Sequence, residues 1–223
     1  MIGVVNKKVL LPLLDGLFLR GVKSRSGMTL KQPKFVACIT GGGGSFFQHV
    51  LGKAGASSTL IEGIVPYDKN SCLSFLEQNG QNAAGIGFCS KEMAARLATA
   101  SHSRAISLSP LVSTWPDLYG VSATATIVSH YKRRGDYRVH VGTSDSHGDT
   151  RTLCFTFQKG YRSREQEDAG VGFLALRALC EAAGKSTGRE ITQEAKEPDW
   201  IVTEVSRGRA GGCPCKERPC VRD

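Results

Sequence analysis

The stretch GASSTLIEGIVPYDKNSC, Gly55 to Cys72, gathers two adjacent serines, a lone glutamate in an apolar run, one tyrosine and one cysteine into eighteen residues. A serine hydroxyl or cysteine thiol becomes a nucleophile once a neighbouring base takes its proton. Just upstream, TGGGGSFF (Thr40 to Phe47) stands where an apolar run hands over to a helical pattern. Exposed amides and the helix dipole at such a junction favour an anion. Each feature also has a plainer reading. Ser57 can cap a turn, Tyr67 can be a core residue with its hydroxyl at the edge, and the glycines can form a connection that needs positive φ angles.

The glycine run excludes some chemistry. A P-loop needs Gly-Lys-Ser/Thr to reach the outer phosphates and magnesium, and Ser45-Phe46 stands there instead. A dinucleotide fingerprint is met at Gly41 and Gly43 but fails at Phe46, where close helix packing wants a small residue; Glu62 lies near the ribose-binding position. A phosphate-bearing small ligand cradled by Thr40, Gly41, Gly42, Gly43 and Ser45 is the functional reading that survives. Eight cysteines are present. Five are isolated among apolar residues, as small core hydrophobes in a reducing compartment are. Cys213, Cys215 and Cys220 form a C-x-C-x4-C array with no histidine in the tail, one ligand short of a structural zinc site. No metal site and no cofactor are assigned.

The elements around these residues follow from period and punctuation. KFVACIT (Lys34 to Thr40) is an apolar run between Pro33 and the glycines and reads as a buried strand. SFFQHVLGKAG then reads as a helix with Ser45 as N-cap. TLIEGIVPY reads as a second strand, and NSCLSFLEQ as a short helix stopped by Gly80. SKEMAARLATASHSRAISL is a long helix capped by Ser90, with Glu92 at the positive end of its dipole and Pro110 and Pro116 at its exit. YGVSATATIV, YRVHVGTS and TRTLCFTFQ form an antiparallel meander. A last helix is bounded by the capping box Ser163/Gln166 and by Gly184. The expectation is an α/β fold, a three-layer α/β/α sandwich on a mixed sheet, spanning residues 34–184. A basic arm or first helix (1–33) precedes it and a cysteine-containing tail (185–223) follows.

Apolar content of 40% and charged content of 22% describe a globular chain. The formal net charge of +9 is uneven. Residues 1–34 hold seven Lys/Arg against one Asp, whereas residues 35–184 hold fourteen basic and twelve acidic residues. A near-neutral body argues against nucleic acid as the partner, and KRRG (Lys132 to Gly135) reads as a solvated turn. The first 27 residues are basic, leucine-rich and almost free of acid, like an organelle transit peptide; the alternative is an amphipathic first helix over Val9 to Arg20, strained by Pro12. An organelle matrix, mitochondrial for instance, is the expected location, with the cytoplasm as alternative. Pro12 and Asp15 interrupt the best apolar run, so no membrane span is expected.

Three stretches read together, CITGGGG (Cys38 to Gly44), GASSTLIEGIVPY (Gly55 to Tyr67) and SKEMA (Ser90 to Ala94), resemble the C-terminal domain of the competence-damage inducible CinA family in order and spacing. VPY (Val65 to Tyr67), KRRGD (Lys132 to Asp136) and RSREQED (Arg162 to Asp168) are similar to segments of its plant and algal branch. The resemblance implies the sandwich fold, and family members with known activity are nicotinamide-nucleotide amidases that turn NMN into nicotinate mononucleotide and ammonia. Laid on the amidase motif, Gly55 matches its Gly, Ser57 its catalytic Ser and Tyr67 its Tyr, while the Lys five residues beyond falls on Cys72. Cys38 stands where the family's S-C-T-G-G begins with Ser. The stretch Ser122 to Asp136 lacks the glycines and proline of the loop that closes over substrate.

Lysine supports deprotonation of the serine in such an arrangement, and Cys72 cannot supply that cation. The resemblance therefore implies a catalytically degenerate relative that acts as a nucleotide-binding or assembly subunit. Its ligand would be NMN-like, and its protein partner a larger assembly or a second copy. The alternative is an active amidohydrolase, with attack by Ser57, proton relay by Tyr67, and Thr40 to Ser45 holding the phosphate or the developing oxyanion.

Overall fold

The computed structural model describes residues 7–18, 32–109, 117–131, 134–184 and 200–209, with side chains described from residue 10 to residue 184 of these. Cys213, Cys215 and Cys220, Pro110 and Pro116, and Lys132 and Arg133 lie outside the described residues.

The elements are α1 (Lys7–Phe18), β1 (Lys34–Thr40), α2 (Ser45–Leu51), a 3₁₀ turn (Ala56–Ser58), β2 (Leu60–Ile64), α3 (Lys69–Gln78), α4 (Lys91–Leu108), β3 (Leu118–Thr126), β4 (Tyr137–Asp145), β5 (Asp149–Phe157), α5 (Arg164–Ala182) and β6 (Trp200–Arg209). They build a six-stranded sheet in the order β2-β1-β3-β4-β5-β6. β1 runs parallel to both β2 and β3, and the remaining pairs are antiparallel. This is the mixed sheet and the meander that the sequence pattern calls for.

The two-residue side-chain period of a strand explains the layers. Phe35, Ala37 and Ile39 of β1 point to one face and join a cluster with α1, α2 and α5. Val36 and Cys38 point to the other, toward α3 and α4. The result is the α/β/α sandwich. α4 lies so close to the sheet that a Cβ on Gly120 would sit 2.0 Å from the Ala98 carbonyl oxygen. The Ser122 hydroxyl on the same strand donates to the Ala94 carbonyl at 2.6 Å.

The local caps are where the sequence puts them. The Ser90 side chain accepts from the Met93 amide, and Ser163 and Gln166 make the reciprocal bonds of a capping box. At α2 the outcome differs. Gly44 occupies the N-cap position without a side-chain bond, and the acceptor comes from α5 instead. α3 has a cap that period alone does not reveal, Asp68, whose side chain accepts from the Asn70 amide.

Both flanks contribute to the domain. α1 buries Leu10, Leu13, Leu14, Leu17 and Phe18 in the same cluster as α5, and the Cys180 thiol meets the Leu13 carbonyl at 3.5 Å. Asp15 pairs with Lys53, just past α2. The helix runs Lys7–Phe18, against the Val9 to Arg20 of the amphipathic-helix expectation. In the stretch expected as a tail, Trp200–Arg209 extends the sheet as β6, antiparallel to β5 with Leu153 opposite Val205. The β-branched, largely apolar run Trp-Ile-Val-Thr-Glu-Val supports that strand, and the charged, proline-containing residues before it hide the signal. Among the described residues no helix is long and apolar enough to cross a membrane.

Candidate functional site

The C-terminal ends of the parallel strands β1, β2 and β3 open on one end of the sheet, where α/β folds place ligands. Thr40 ends β1, and its hydroxyl donates to the Pro66 carbonyl at 3.1 Å, tying the glycine loop to the segment that carries Tyr67. Gly41 has φ +79° and a Cβ there would lie 2.1 Å from the Ala125 carbonyl oxygen, so the loop is pressed onto β3 as well as left-handed. Gly42 faces Ile127.

Two of the amides expected to hold an anion, those of Gly43 and Ser45, already have one, as does Gly44 between them. Asp168 of α5 accepts from Gly43 at 2.7 Å and Gly44 at 3.0 Å through one carboxylate oxygen, and from Ser45 at 3.0 Å through the other. The Ser45 hydroxyl donates to the Asp168 carbonyl oxygen. α5 comes this close because Gly172, one turn further on, has no side chain; a Cβ there would meet the Ser45 hydroxyl at 2.2 Å. The local arrangement is a helix start closed by an internal carboxylate.

The two residues assigned to nucleophile and relay are not brought together. Ser57 is exposed in the 3₁₀ turn before β2, and Tyr67 follows the far end of that strand. Five residues of strand rise about 16 Å, which separates them by the height of the sheet. The neighbour Ser58 confirms which end this is, because its hydroxyl accepts from Gln32, just before β1, and donates to Gly55. Ser57 thus precedes β2 and Tyr67 follows it, at opposite ends of that strand.

Cys38 is the residue that meets the lysine position. Cys38 and Cys72 are buried in one apolar cluster with Phe75, Leu76, Met93 and Leu97. Burial pushes the Cys38 thiol well above its ordinary value, and neighbouring Cys72 pushes it further; burial raises Cys72 too. An activated thiol needs a cation or a helix dipole to lower its pKa, and here the surroundings do the opposite. Both stay protonated at neutral pH.

Tyr67 has a partner that motif spacing did not reveal. Arg164, the first residue of α5, donates to the Tyr67 hydroxyl at 3.1 Å and also to the Val128 carbonyl. The signal available was its place directly after the capping Ser163. Glu167 on the next turn accepts from the Val128 amide at 2.7 Å, and burial raises its pKa. Glu62, the candidate ribose acid, is engaged by Arg104 through two bonds of 2.8 and 3.2 Å and points to α4 rather than to the loop. Among the described residues no group of three or more His, Cys, Asp or Glu is placed to hold a metal ion.

No family model matches the chain, and no curated protein matches it in sequence. Solved structures match it in fold. The competence/damage-inducible protein CihA from Agrobacterium tumefaciens superposes with a TM-score of 0.55 at 16% identity, covering 79% of this chain and 94% of that one. A CinA-superfamily protein from Klebsiella pneumoniae gives 0.54 at 11% identity over 80% and 98%. One from Escherichia coli gives 0.52 at 16% identity over 68% and 81%. The chain has the fold of CinA-superfamily proteins.

Proposed function

We propose that this chain is a CinA-like module in which hydrolysis has been lost and which serves as a structural or assembly subunit. The observation that carries the reading is the pair Cys38 and Cys72. At the position where the amidase motif has its lysine, the fold holds a buried, protonated thiol in an apolar cluster, next to a second thiol in the same state. Among the described residues the cluster around it is apolar, where activation of a nucleophile would need a general base or a cation. The Asp168 carboxylate supports the same conclusion from the ligand side, because Gly43, Gly44 and Ser45 have their amide protons engaged. Location in an organelle matrix belongs to this proposal, and cell fractionation that follows the chain with α1 retained tests it.

The experiment is incubation of the purified protein with NMN while ammonia is followed, with Cys38→Ala and Ser57→Ala as controls. No release is expected. Turnover abolished by either substitution would overturn the reading and restore an amidohydrolase. A calorimetric titration with NMN then separates the two non-catalytic roles. Absence of heat is the expected result, and saturable heat would make the module a nucleotide binder instead.

A further inference from the structure

Four of the described cysteines are buried, Cys38, Cys72, Cys154 and Cys180. Cys180 belongs to the cluster that joins α1 and α5, and Cys38 and Cys72 to the one between β1, α3 and α4. Cys154 belongs to none of the hydrophobic clusters, although it is only 4% exposed. What stands beside it is an imidazole. His140 lies directly opposite on β4, is itself buried, and holds its Nδ1 3.1 Å from the Cys154 Sγ.

Strand register fixes this contact. Thr124 of β3, His140 of β4 and Cys154 of β5 form one row across three neighbouring strands, and residues directly opposite in a ladder share a face. Thr124 is buried and its hydroxyl donates to the Phe88 carbonyl at 2.5 Å, at the approach to α4. One repeat along in one direction, Ser122 and Thr152 are buried on the same face, so the sheet around the row is polar. One repeat along in the other, Thr126 and Arg138 are paired and line a cleft of about 360 Å³. The cleft therefore opens about 7 Å from the pair.

A thiol is a weak nucleophile until a base takes its proton. An imidazole nitrogen at hydrogen-bond distance is such a base, and in the tautomer that carries its proton on Nε2 it is Nδ1 that accepts. The other buried thiols have surroundings that act the other way: burial raises Cys38 and Cys72 and pushes Cys180 up to about 12. A sulfur as buried as Cys154 admits only a small electrophile. Hydrogen peroxide is small, and its leaving group needs the proton that the imidazole has just taken.

We propose that Cys154, with His140 as its base, is a peroxide-reactive thiol reached from the cleft beside Thr126 and Arg138. His140 Nδ1 takes the thiol proton, and Cys154 Sγ attacks one oxygen of hydrogen peroxide. The S–O bond forms as the O–O bond breaks, so the sulfur is oxidised by two electrons and the peroxide is reduced. The departing hydroxide takes the proton back from His140 and leaves as water, and Cys154 is left as a sulfenic acid. The proposal is independent of the NMN reading and its failure leaves that reading unchanged.

The test is treatment of the reduced full chain with hydrogen peroxide in the presence of dimedone, which traps sulfenic acids, followed by peptide mass spectrometry. Cys180, at least as deeply buried but in an apolar cluster, is the reference within the same molecule. Cys154 is expected to be trapped faster than Cys180 by about 10-fold or more. His140→Asn, which keeps an acceptor near the Nδ1 position without a base, is expected to bring the two rates together, and His140→Gln is the second variant. Loss of the fold would expose Cys180 and speed its trapping, so a slower Cys154 beside an unchanged Cys180 reports the missing base; the ratio in the parent stands whatever either variant does to the fold. Equal trapping of Cys154 and Cys180 in the parent would overturn the proposal. So would a Cys154 rate that both variants leave unchanged, which is access alone.

Discussion

Asp168 and Gly43 are 125 residues apart in sequence, and the carboxylate of one lies 2.7 Å from the amide of the other. With the bonds to Gly44 and Ser45, this single side chain neutralises the start of α2 and fastens α5 to the glycine loop. An acidic cap normally comes from the helix's own N-cap residue; here Gly44 has none to give.

Asp168→Ala should therefore cost more than an ordinary cap, because charged hydrogen bonds are stronger and three amides lose their acceptor together. About 2 to 4 kcal/mol is expected from these two effects. Asp168→Asn keeps an amide oxygen and should lose roughly half as much. Urea unfolding of the three proteins gives the ordering, and an Asn variant as damaged as Ala would show that the full carboxylate with its charge, rather than one retained oxygen acceptor, holds the loop.

Cys72→Lys is the substitution that the amidase motif invites. The side chain at this position is 2% exposed, against Cys38, Leu76 and Met93. An ammonium placed there loses its water without gaining a partner, and its stem overfills the cluster, so a loss of several kcal/mol is expected rather than a gain of ammonia release from NMN. Thermal melting with the ammonia assay reads both. Activity restored without loss of stability would mean that the cluster opens readily to solvent.

Leu13 tests the N-terminal helix. It is fully buried against α5, and its carbonyl oxygen meets the Cys180 thiol. Leu13→Ala should destabilise the whole domain by about 2 to 5 kcal/mol, the usual range for a core leucine, whereas Leu11→Ala, at a half-exposed position, should fall within ~0.5 kcal/mol. Equal, small effects of both in chemical unfolding would separate α1 from the cooperative core.

What the sequence could and could not reveal follows the range of each interaction. Ser90 capping α4 and Ser163 with Gln166 capping α5 act within one turn, so spacing alone locates both helices. Asp168 reaches a loop on another element, and nothing in RSREQED points there. The separation of Ser57 from Tyr67 was legible. TLIEGIVPY has the apolar, β-branched pattern of a strand, and a strand between two residues carries them apart by its length. Cys38 beside Cys72 depended on register, with Cys38 opposite Ile64 at the end of the β1–β2 ladder, just before α3 begins.

Acid should weaken the fold through His102. Its imidazole is 4% exposed under β3, with Nε2 3.4 Å from the Ser146 hydroxyl, and burial lowers its pKa from 6.5 to about 4. The unfolded chain takes up this proton near pH 6.5 and the folded chain only near pH 4, so between these values unfolding is favoured as pH falls. The stabilisation is complete above pH 6.5 and up to ~3 kcal/mol is lost by pH 4. Buried Glu167 and half-buried Asp145 act in the opposite sense, since desolvation raises both carboxyls and the folded state takes up their protons first. They are common to the parent and a His102→Gln variant, so the difference in unfolding free energy between the two proteins, measured from pH 7.5 to pH 4, isolates the imidazole. The parent should lose its advantage steadily across that window. A constant difference would place His102 in contact with solvent or with a carboxylate that compensates its charge.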